Sequence, residues 1–248
     1  MDLGLAGRRA AVAASSRGLG FACAAALVAE GARVVICGRW EAPLEAAAAR
    51  LGPSAVALVE DVGHAAGARG FVERATDSLG GLDILVTNAG GPPPGTFSST
   101  PLERYPEALE LNLLSLVAMC QAAVPGMRAQ GFGRIVAITS IAARQPIPNL
   151  ILSNTARAGA TGFLKTLARE VAADGVTVNS VQPGAYATKA LTDVYGPDLA
   201  EVAKDIPTRV LGRPEDLGAV VAFLCSDAAR FITGAAIPVD GGTYAGLL

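Results

Sequence analysis

The sequence predicts an α/β fold, a doubly wound parallel sheet of about seven strands flanked by helices on both faces. Two observations support this prediction. Short runs rich in β-branched residues alternate with longer Ala- and Leu-rich amphipathic runs, and Gly or Pro lies at nearly every boundary between them. The alternation passes through all 248 residues without a linker, a repeat or a charge block. Because α/β chains of up to about 250 residues often form one domain, residues 1–248 are expected to form a single domain.

The short runs predict the strands and the long runs predict the helices. Successive Val, Ile and Leu residues are typical of parallel strands buried on both faces, and apolar residues at helical spacing are typical of the helices that cover them. The predicted strands are residues 10–14, 33–37, 55–59, 83–87, 134–139, 176–181 and 236–239. The predicted helices are residues 19–30, 41–51, 64–79, 103–128 and 154–173, and a last helix begins at Pro214. The segment after Pro183-Gly184 is predicted to be irregular.

The composition argues against several kinds of partner. The 20 basic and 22 acidic residues give a net charge of -2, so bulk charge does not favour nucleic acid or an anionic membrane. The longest uncharged stretch, 111–127, contains Asn112, Gln121 and Pro125 and is shorter than the roughly 20 mostly apolar residues of a spanning helix. It is predicted to be a buried helix. The N-terminus has no basic segment followed by an apolar one, so no secretory signal is expected and a cytoplasmic location follows.

The cysteines predict neither a metal site nor a disulfide framework. Cys23, Cys37, Cys120 and Cys225 are widely scattered, and the single histidine, His64, is far from them in sequence. They are expected to be small apolar side chains in the core of a protein from a reducing compartment. No metal is expected.

The residues that follow each strand are the candidate site, because ligands of doubly wound sheets bind at the carboxyl ends of the strands. The loop after the first strand opens directly into a helix, whose free N–H groups and positive dipole end suit a phosphate. Two glycines alone are a weak signal, since the alternative is a turn that packs a helix on a strand. The position in the first βα turn favours a dinucleotide site at Ser15, Ser16, Arg17, Gly18, Leu19 and Gly20.

The chain resembles the classical short-chain dehydrogenase/reductase (SDR) family, and within it the 3-oxoacyl-(acyl carrier protein) reductases. The motifs that carry the resemblance occur in family order and at family-like spacing from end to end. They are the loop 13–20, Asp61-Val62, Asn88-Ala89-Gly90, Asn112, Ser140, the segment from Pro183 to Thr188, and residues 212–216 through Asp240-Gly241-Gly242. The resemblance implies a Rossmann-type domain with a substrate lid at about 189–207, acting on a small or carrier-bound carbonyl compound.

The resemblance also implies which residues contact the cofactor. Asp61 would bond the adenine amino group, although a helix cap before His64 is an alternative role for it. His64 would lie near the adenine and is assigned no catalytic role. Val62 would also contact the cofactor. The residues that would lie under the cofactor are Asn88, Ala89 and Gly90, and those that would border the nicotinamide are Pro183, Gly184, Tyr186 and Thr188.

The residues after the second strand favour NADP(H) over NAD(H). Family members that take NAD tend to have an acid there, whereas this chain has Gly38-Arg39 and a second arginine, Arg17, in the glycine loop. Two guanidinium groups suit the 2′-phosphate of NADP, and the alternative is a pair of solvated surface arginines. The chain departs from the family at Ala13-Ala14, where the family has Thr-Gly. That change removes a glycine's access to unusual φ and ψ and a threonine hydrogen bond, which bears on cofactor affinity.

The catalytic positions depart further from the family pattern. By resemblance Asn112 supports a water relay and Ser140 holds the substrate carbonyl, but the Tyr-x-x-x-Lys motif falls on Ser153 and Arg157. A phenol titrates near 10 and can be tuned by a neighbouring cation, whereas a serine hydroxyl is a far weaker acid and an arginine does not release a proton. A positioned general acid contributes about 10² to 10⁴ in rate. Ordinary carbonyl reduction should therefore be slowed unless another donor replaces the phenol.

Three functions remain open. The first is a redox enzyme in which Ser140, Ser153 and Arg157 stabilise the developing oxyanion, while water or Tyr186 supplies the proton. The alternative role for Tyr186 is aromatic packing over the cofactor. The second is an SDR-fold lyase, dehydratase or cyclase that uses the space left by the phenol ring, and the third is a catalytically silent cofactor-binding module. Because Asn112 and Ser140 are retained, some chemistry is favoured over none, and of the three functions the redox enzyme ranks first.

Self-association is expected as well. The stretch 111–127 and the Ala- and Gly-rich residues 156–162 are too apolar for two helices that face only solvent. A homo-oligomer, by resemblance a tetramer, would cover them.

Overall fold

The computed structural model describes residues 2–247. They form a seven-stranded parallel sheet with the strand order β3-β2-β1-β4-β5-β6-β7, which confirms the predicted fold class. The strands are β1 (Arg9–Val12), β2 (Arg33–Gly38), β3 (Ala55–Val59), β4 (Ile84–Thr87), β5 (Gly133–Ile138), β6 (Val176–Pro183) and β7 (Ala236–Val239). The strand order changes direction between β1 and β4, and this switch point is where ligands of doubly wound sheets bind.

Helices cover both faces of the sheet. They are α1 (Gly18–Ala29), α2 (Glu41–Leu51), α3 (Ala65–Leu79), α4 (Arg104–Leu109), α5 (Ser115–Ala129), α6 (Ile151–Val171), α7 (Lys189–Tyr195), α8 (Ala200–Lys204) and α9 (Pro214–Cys225). One buried cluster lies between the sheet and α3, α5 and α6, and a second lies between the sheet and α1, α2 and α9. The segment after Pro183-Gly184, predicted to be irregular, contains α7 and α8.

A π-helical turn, Glu110–Leu114, joins α4 to α5 where the sequence predicted one uninterrupted helix over 103–128. The combined run Arg104–Ala129 is, within residues 2–247, the one helix long and apolar enough to cross a membrane by length and composition. It packs in the fold against α3 and α6, as the core helix of a globular domain does.

The central strands are buried along their whole length. Every residue of β5 and β6 is buried, which is typical of parallel strands covered on both faces. The four cysteines are buried too, and no disulfide joins them. Burial raises the pKa of Cys37, Cys120 and Cys225 to about 12, so these thiols act as small apolar side chains.

Candidate active site

The glycine loop lies between β1 and α1, at the switch point of the sheet. Gly18 has φ +62, in the left-handed region that favours glycine. A Cβ on Gly20 would lie 2.6 Å from the carbonyl oxygen of Ala14, so no larger residue fits there. The first N–H groups of α1 have no partner within the helix and open at this loop. These features fit the close approach of a dinucleotide phosphate.

Ala14, which the resemblance aligns with the family's first glycine, adopts φ +45. The left-handed region costs a non-glycine residue roughly 1–2 kcal/mol. The loop therefore keeps its shape at the expense of local strain. Ser15 holds that shape: its hydroxyl donates to the Val12 carbonyl at 2.6 Å and accepts from the Cys37 N–H at 3.2 Å. Its own N–H bonds the Cys37 carbonyl, so Ser15 shapes the loop and offers no free donor to a cofactor.

Asp61 comes shortly after β3, and Asn88 comes directly after β4. The Asn88 side-chain amide donates to the Ala14 carbonyl at 3.1 Å, which ties the end of β4 to the glycine loop. Asp61 accepts from the Gly63 N–H at 2.9 Å. It does not cap α3. His64 does so, because its Nδ1 accepts from the Gly67 N–H at 3.0 Å.

The two arginines predicted to select NADP are both exposed. A Cβ on Gly38 would lie 3.2 Å from Cβ of Ser16, so the end of β2 adjoins the glycine loop. Arg39 thus begins on the same edge as Arg17. Within residues 2–247 neither guanidinium has a hydrogen bond or an ion pair, which leaves both available to an anion.

The segment after β6 turns away from the sheet at Pro183. Tyr186 is 5% exposed, and its hydroxyl donates to the Val239 carbonyl at 2.8 Å. Its ring belongs to the buried cluster beneath α1 and α9, and burial raises the pKa of Tyr186 above its ordinary value. The expectation that Tyr186 could supply the proton is therefore wrong, because its hydroxyl is already bonded in the core. Thr188 caps α7 by accepting from the Leu191 N–H at 3.4 Å and faces Gly18.

The segment predicted to be a lid is tied at both ends. Tyr186 and Gly212 form an isolated parallel bridge, in which the Gly212 N–H donates to the Ala185 carbonyl at 3.0 Å and the Ala187 N–H to the Gly212 carbonyl at 2.9 Å. Helices α7 and α8 lie between these anchors.

Asn112 lies in the π-helical turn and is 2% exposed. Its Nδ2 donates to the Gly90 carbonyl at 2.7 Å, which holds the loop after β4. Its Oδ1 is buried and has no hydrogen-bond partner among the residues described. π-helical turns occur frequently at functional sites, and here the turn presents one unsatisfied acceptor.

Arg157 projects from α6 and is 8% exposed. Its Nη1 donates to the Ile138 carbonyl at 2.8 Å, while its Nε is buried without a partner in the described part of the chain. Burial lowers the pKa of Arg157 to about 10, and no carboxylate of residues 2–247 pairs with it. Since that pKa still lies well above neutrality, Arg157 is a buried cation at pH 7 without a counter-ion from this chain.

Asn112 and Arg157 line one small cavity together with Thr87, Asn88 and Ala89. The cavity measures about 10 Å³, room for about one water molecule. Thr87 Oγ1, Asn112 Oδ1 and Arg157 Nε are all buried and unpaired among the described residues. Buried polar atoms are normally hydrogen-bonded, so this cavity fits a water molecule or a polar ligand atom.

Ser140 and Ser153 flank the loop that follows β5. Ser140 Oγ accepts from the Ala142 N–H at 3.1 Å, so its own hydrogen stays available for donation. Ser153 lies half-buried in the first turn of α6, and α6 packs against the 3₁₀ turn that follows Ser140. Two hydroxyls thus stand near the carboxyl end of β5.

Asn154 is a positioning residue that the sequence did not indicate. Its Nδ2 donates to the Ile147 carbonyl at 2.9 Å and its Oδ1 accepts from the Ile147 N–H at 3.2 Å. These two bonds fix the loop between Ser140 and α6. An amide at a helix start is too common to single out, and its partner is visible only in three dimensions.

Comparison with known proteins identifies the family. Residues 13–244 match the sequence profile of a family described as enoyl-(acyl carrier protein) reductase. The chain is 35% identical over 238 residues to the 3-oxoacyl-[acyl-carrier-protein] reductase FabG of Haemophilus influenzae, covering 96% of this chain and 98% of the relative. It is 36% identical over 245 residues to human dehydrogenase/reductase SDR family member 4, covering 96% and 88%.

Solved structures agree with this assignment. The L-sorbose reductase of Gluconobacter frateurii, complexed with NADPH and L-sorbose, superposes with a TM-score of 0.92 at 35% identity over 100% of both chains. A short-chain alcohol dehydrogenase-like structure from Sinorhizobium meliloti superposes with a TM-score of 0.91 at 34% identity over 98% of both chains. The protein is a member of the short-chain dehydrogenase/reductase family of oxidoreductases.

Proposed function

We propose that the protein is an NADP-dependent reductase that interconverts a carbonyl and an alcohol on a small or carrier-bound substrate, with water as the proton donor. The observation that carries the proposal is Arg157, a buried cation beside the end of β5 whose Nε has no partner among the described residues. An uncompensated buried charge is costly. The buried positive charge of Arg157 has a function if negative charge develops on a substrate bound beside it.

The glycine loop supports dinucleotide binding. Gly18, Gly20 and the first turn of α1 would hold the diphosphate, and Arg17 and Arg39 would hold the 2′-phosphate. Asp61 and Val62 would contact the adenine, and the loop after β4 would lie beneath the cofactor. NADPH, when bound, supplies the hydride. The relative crystallised with NADPH, L-sorbose reductase, supports this choice of cofactor.

The substrate oxygen is held by hydroxyl and guanidinium donors. Ser140 donates its hydroxyl hydrogen, because its oxygen already accepts the Ala142 N–H. Ser153 adds a second neutral donor, and Nη2 of Arg157 supplies positive charge while Nη1 stays on the Ile138 carbonyl. Donors fixed in place before charge develops are an effective form of catalysis.

The proton comes from the water molecule that the small cavity can hold. Asn112 Oδ1 accepts one of its hydrogens and Thr87 Oγ1 donates to its oxygen. That water would give its second hydrogen to the substrate oxygen as negative charge develops there. The hydroxide left behind would be stabilised by the Arg157 cation and reprotonated from solvent.

Self-association belongs to the same proposal. Leu114, the last residue of the π-helical turn, is 45% exposed, and Leu102 and Phe97, earlier in the chain, are 77% and 83% exposed. A second copy of the chain would bury these side chains, with a tetramer as the expected assembly. Light scattering at micromolar concentration should give a multimer, and a monomer would contradict this part of the proposal.

NADPH absorbance on mixing with carbonyl compounds tests the main proposal. The panel should include 3-oxoacyl thioesters and ketoses such as L-sorbose, the substrate classes named for the relatives. At least one should be reduced with consumption of NADPH. Tight NADPH binding without consumption across the panel would favour the binding module, and conversion of substrate without NADPH consumption would favour the lyase, dehydratase or cyclase.

A further inference from the structure

Gln182 is a buried amide that no part of the proposed mechanism uses. It is the residue of β6 directly before Pro183 and is 0% exposed. Neither Oε1 nor Nε2 has a hydrogen-bond partner among residues 2–247. A buried unsatisfied amide opposes folding, and an apolar side chain of the same size would not. The amide therefore needs a partner that the side chains and backbone of the chain do not provide.

Most of the buried side-chain atoms without a hydrogen-bond partner, among residues 2–247, lie at or beside the carboxyl ends of the strands. Of the seven such buried side-chain atoms in the described chain, five belong to Thr87, Asn112, Arg157 and Gln182. Those four residues lie at or beside the carboxyl ends of β4, β5 and β6. The other two atoms, in Arg134 and Thr177, lie at the opposite ends of β5 and β6. Unpaired groups gathered at one functional edge indicate bound water or ligand atoms.

Side chains alternate between the two faces along β6, and this places Gln182 on the face of the sheet that α6 covers. Val176 and Val178 belong to the cluster beneath α3, α5 and α6, whereas Val181 belongs to the opposite cluster. Successive side chains of a strand point to opposite faces, so Gln182 shares the face of Val178. Val181 pairs with Ile138 in register, so Gln182 comes next to Thr139, the residue before Ser140.

Gln182 also lies at about the same height as Arg157 along the direction of β6. Thr161 of α6 and Ser180 of β6 line the same cavity of about 240 Å³. Since α6 runs antiparallel to β6, Arg157 lies one turn, about 6 Å, above Thr161. Gln182 lies two strand residues, about 6.6 Å, above Ser180. Gln182 and Arg157 are therefore at about the same height along the strand direction, on the same face of the sheet. Gln182 Oε1 is an unpaired acceptor there, and Arg157 Nε–H is an unpaired donor.

We propose that Gln182 is a positioning residue: its Oε1 accepts a hydrogen bond from one internal water, a second water besides the proton donor beside Asn112, and that water accepts from Arg157 Nε–H. Together with the bond from Nη1 to Ile138, this bridge fixes the guanidinium plane and leaves Nη2 facing the substrate oxygen. The inference rests on the proposed function. It assigns to Gln182 the orientation of the cation that replaces the family's lysine.

The substitution Gln182→Met tests the bridge, because methionine keeps the volume and removes the acceptor. We expect kcat to fall about tenfold, as for loss of a hydrogen bond to a charged group, with the KM for NADPH unchanged. Thr177→Val is the matched control. It removes an equally unpaired buried oxygen from the other end of β6 and should keep wild-type kcat.

The Arg157→Lys background separates positioning from a merely structural role. Lysine has no Nε–H in that place, so Gln182→Met should there cost less than twofold. Equal losses in both backgrounds, or wild-type kcat in Gln182→Met, would overturn the inference.

A high-resolution crystal structure of the wild-type protein tests the bridge without an activity assay. It should show one water within hydrogen-bond distance of both Arg157 Nε and Gln182 Oε1. Its absence would overturn the inference even in an active reductase. Its presence in a protein that reduces no carbonyl would keep the bridge and contradict only the proposed function. This measurement also decides the matter if Gln182→Met does not fold.

Discussion

The glycine loop and the start of α6 differ in how the resemblance relates them to the family pattern. The resemblance aligns Ala14 with a family glycine, and Ala14 adopts φ +45, the left-handed region that favours glycine. It aligns Ser153 and Arg157 with the family's Tyr and Lys, and both lie within the continuous helix α6. We call the glycine loop the cofactor edge and the start of α6 the catalytic edge. Where backbone N–H groups bind a ligand, a changed side chain adds backbone strain but leaves the binding groups in place. Where side chains bind the ligand, the same kind of change replaces the binding groups themselves.

Arg157→Ala should produce the largest loss at the catalytic edge. Removing one donor from an oxyanion site costs about 10² to 10³ in kcat, and a charged donor belongs at the upper end. We expect about 10³ for Arg157→Ala and about 10² or less for Ser153→Ala, in steady-state rates with NADPH binding measured separately. Arg169→Ala, at the exposed far end of α6, is the matched control. Wild-type turnover of Arg157→Ala with cofactor bound would contradict the redox mechanism.

Restoring the family motif at Ser153 and Arg157 should raise activity, not lower it. If only the chemical groups differ, Ser153→Tyr combined with Arg157→Lys should raise carbonyl reduction by about 10², since a positioned phenol contributes about 10² to 10⁴. Ser153→Tyr alone is the control, because it adds the phenol without the lysine. A folded double variant that gains nothing would show that the backbone at this edge has diverged too.

Arg39→Asp tests whether any side chain is decisive at the cofactor edge. Loss of a charge-assisted bond to the 2′-phosphate, plus repulsion, should weaken NADPH binding tenfold or more and leave NADH binding nearly unchanged. Fluorescence titrations of both cofactors measure this. Arg33→Asp, an exposed residue at the other end of β2, should leave both affinities unchanged. Unaltered NADPH affinity in Arg39→Asp would mean that the 2′-phosphate binds elsewhere.

Ala14→Gly should give the smallest effect and the opposite sign from most substitutions. Glycine removes roughly 1–2 kcal/mol of left-handed strain but gains flexibility in the unfolded chain, for a net stabilisation of about 0.5 kcal/mol. That corresponds to a rise of about 1–2 °C in melting temperature. Ala13→Gly, whose φ is not positive, should instead destabilise the protein. A lower melting temperature for Ala14→Gly would show that the backbone of Ala14 is not strained.

The sequence predicts most of the fold, because Gly and Pro mark the boundaries and the apolar periods differ between strands and helices. The predicted bounds match the structure for Glu41–Leu51, Ala55–Val59 and Ala236–Val239. The π-helical turn at Glu110–Leu114 was missed, since it inserts into a helix whose apolar spacing looks continuous on either side. Two short helices in the lid segment were missed as well.

The placement of the candidate site residues was predictable where it follows from their position after a strand. It was not predictable where the role depends on a partner distant in sequence. Asn154 bonds Ile147, the Tyr186 hydroxyl bonds Val239, and Gln182 has no partner among the described residues. An amide or a phenol in a sequence gives no sign of which carbonyl it will meet after folding. The cap of α3 shows the same limit, because His64 and not Asp61 provides it.

The bridge between Tyr186 and Gly212 bears on how the fold would tolerate changes in chain length. It closes residues 187–211 at their base, because the Gly212 N–H and carbonyl both bond the chain beside Tyr186. Closing a loop twice as long costs only about 0.6 kcal/mol more. Insertions and deletions among the exposed residues between these anchors should therefore cost the fold little stability. Changes at Thr208, whose N–H bonds the Gly241 carbonyl, would cost more.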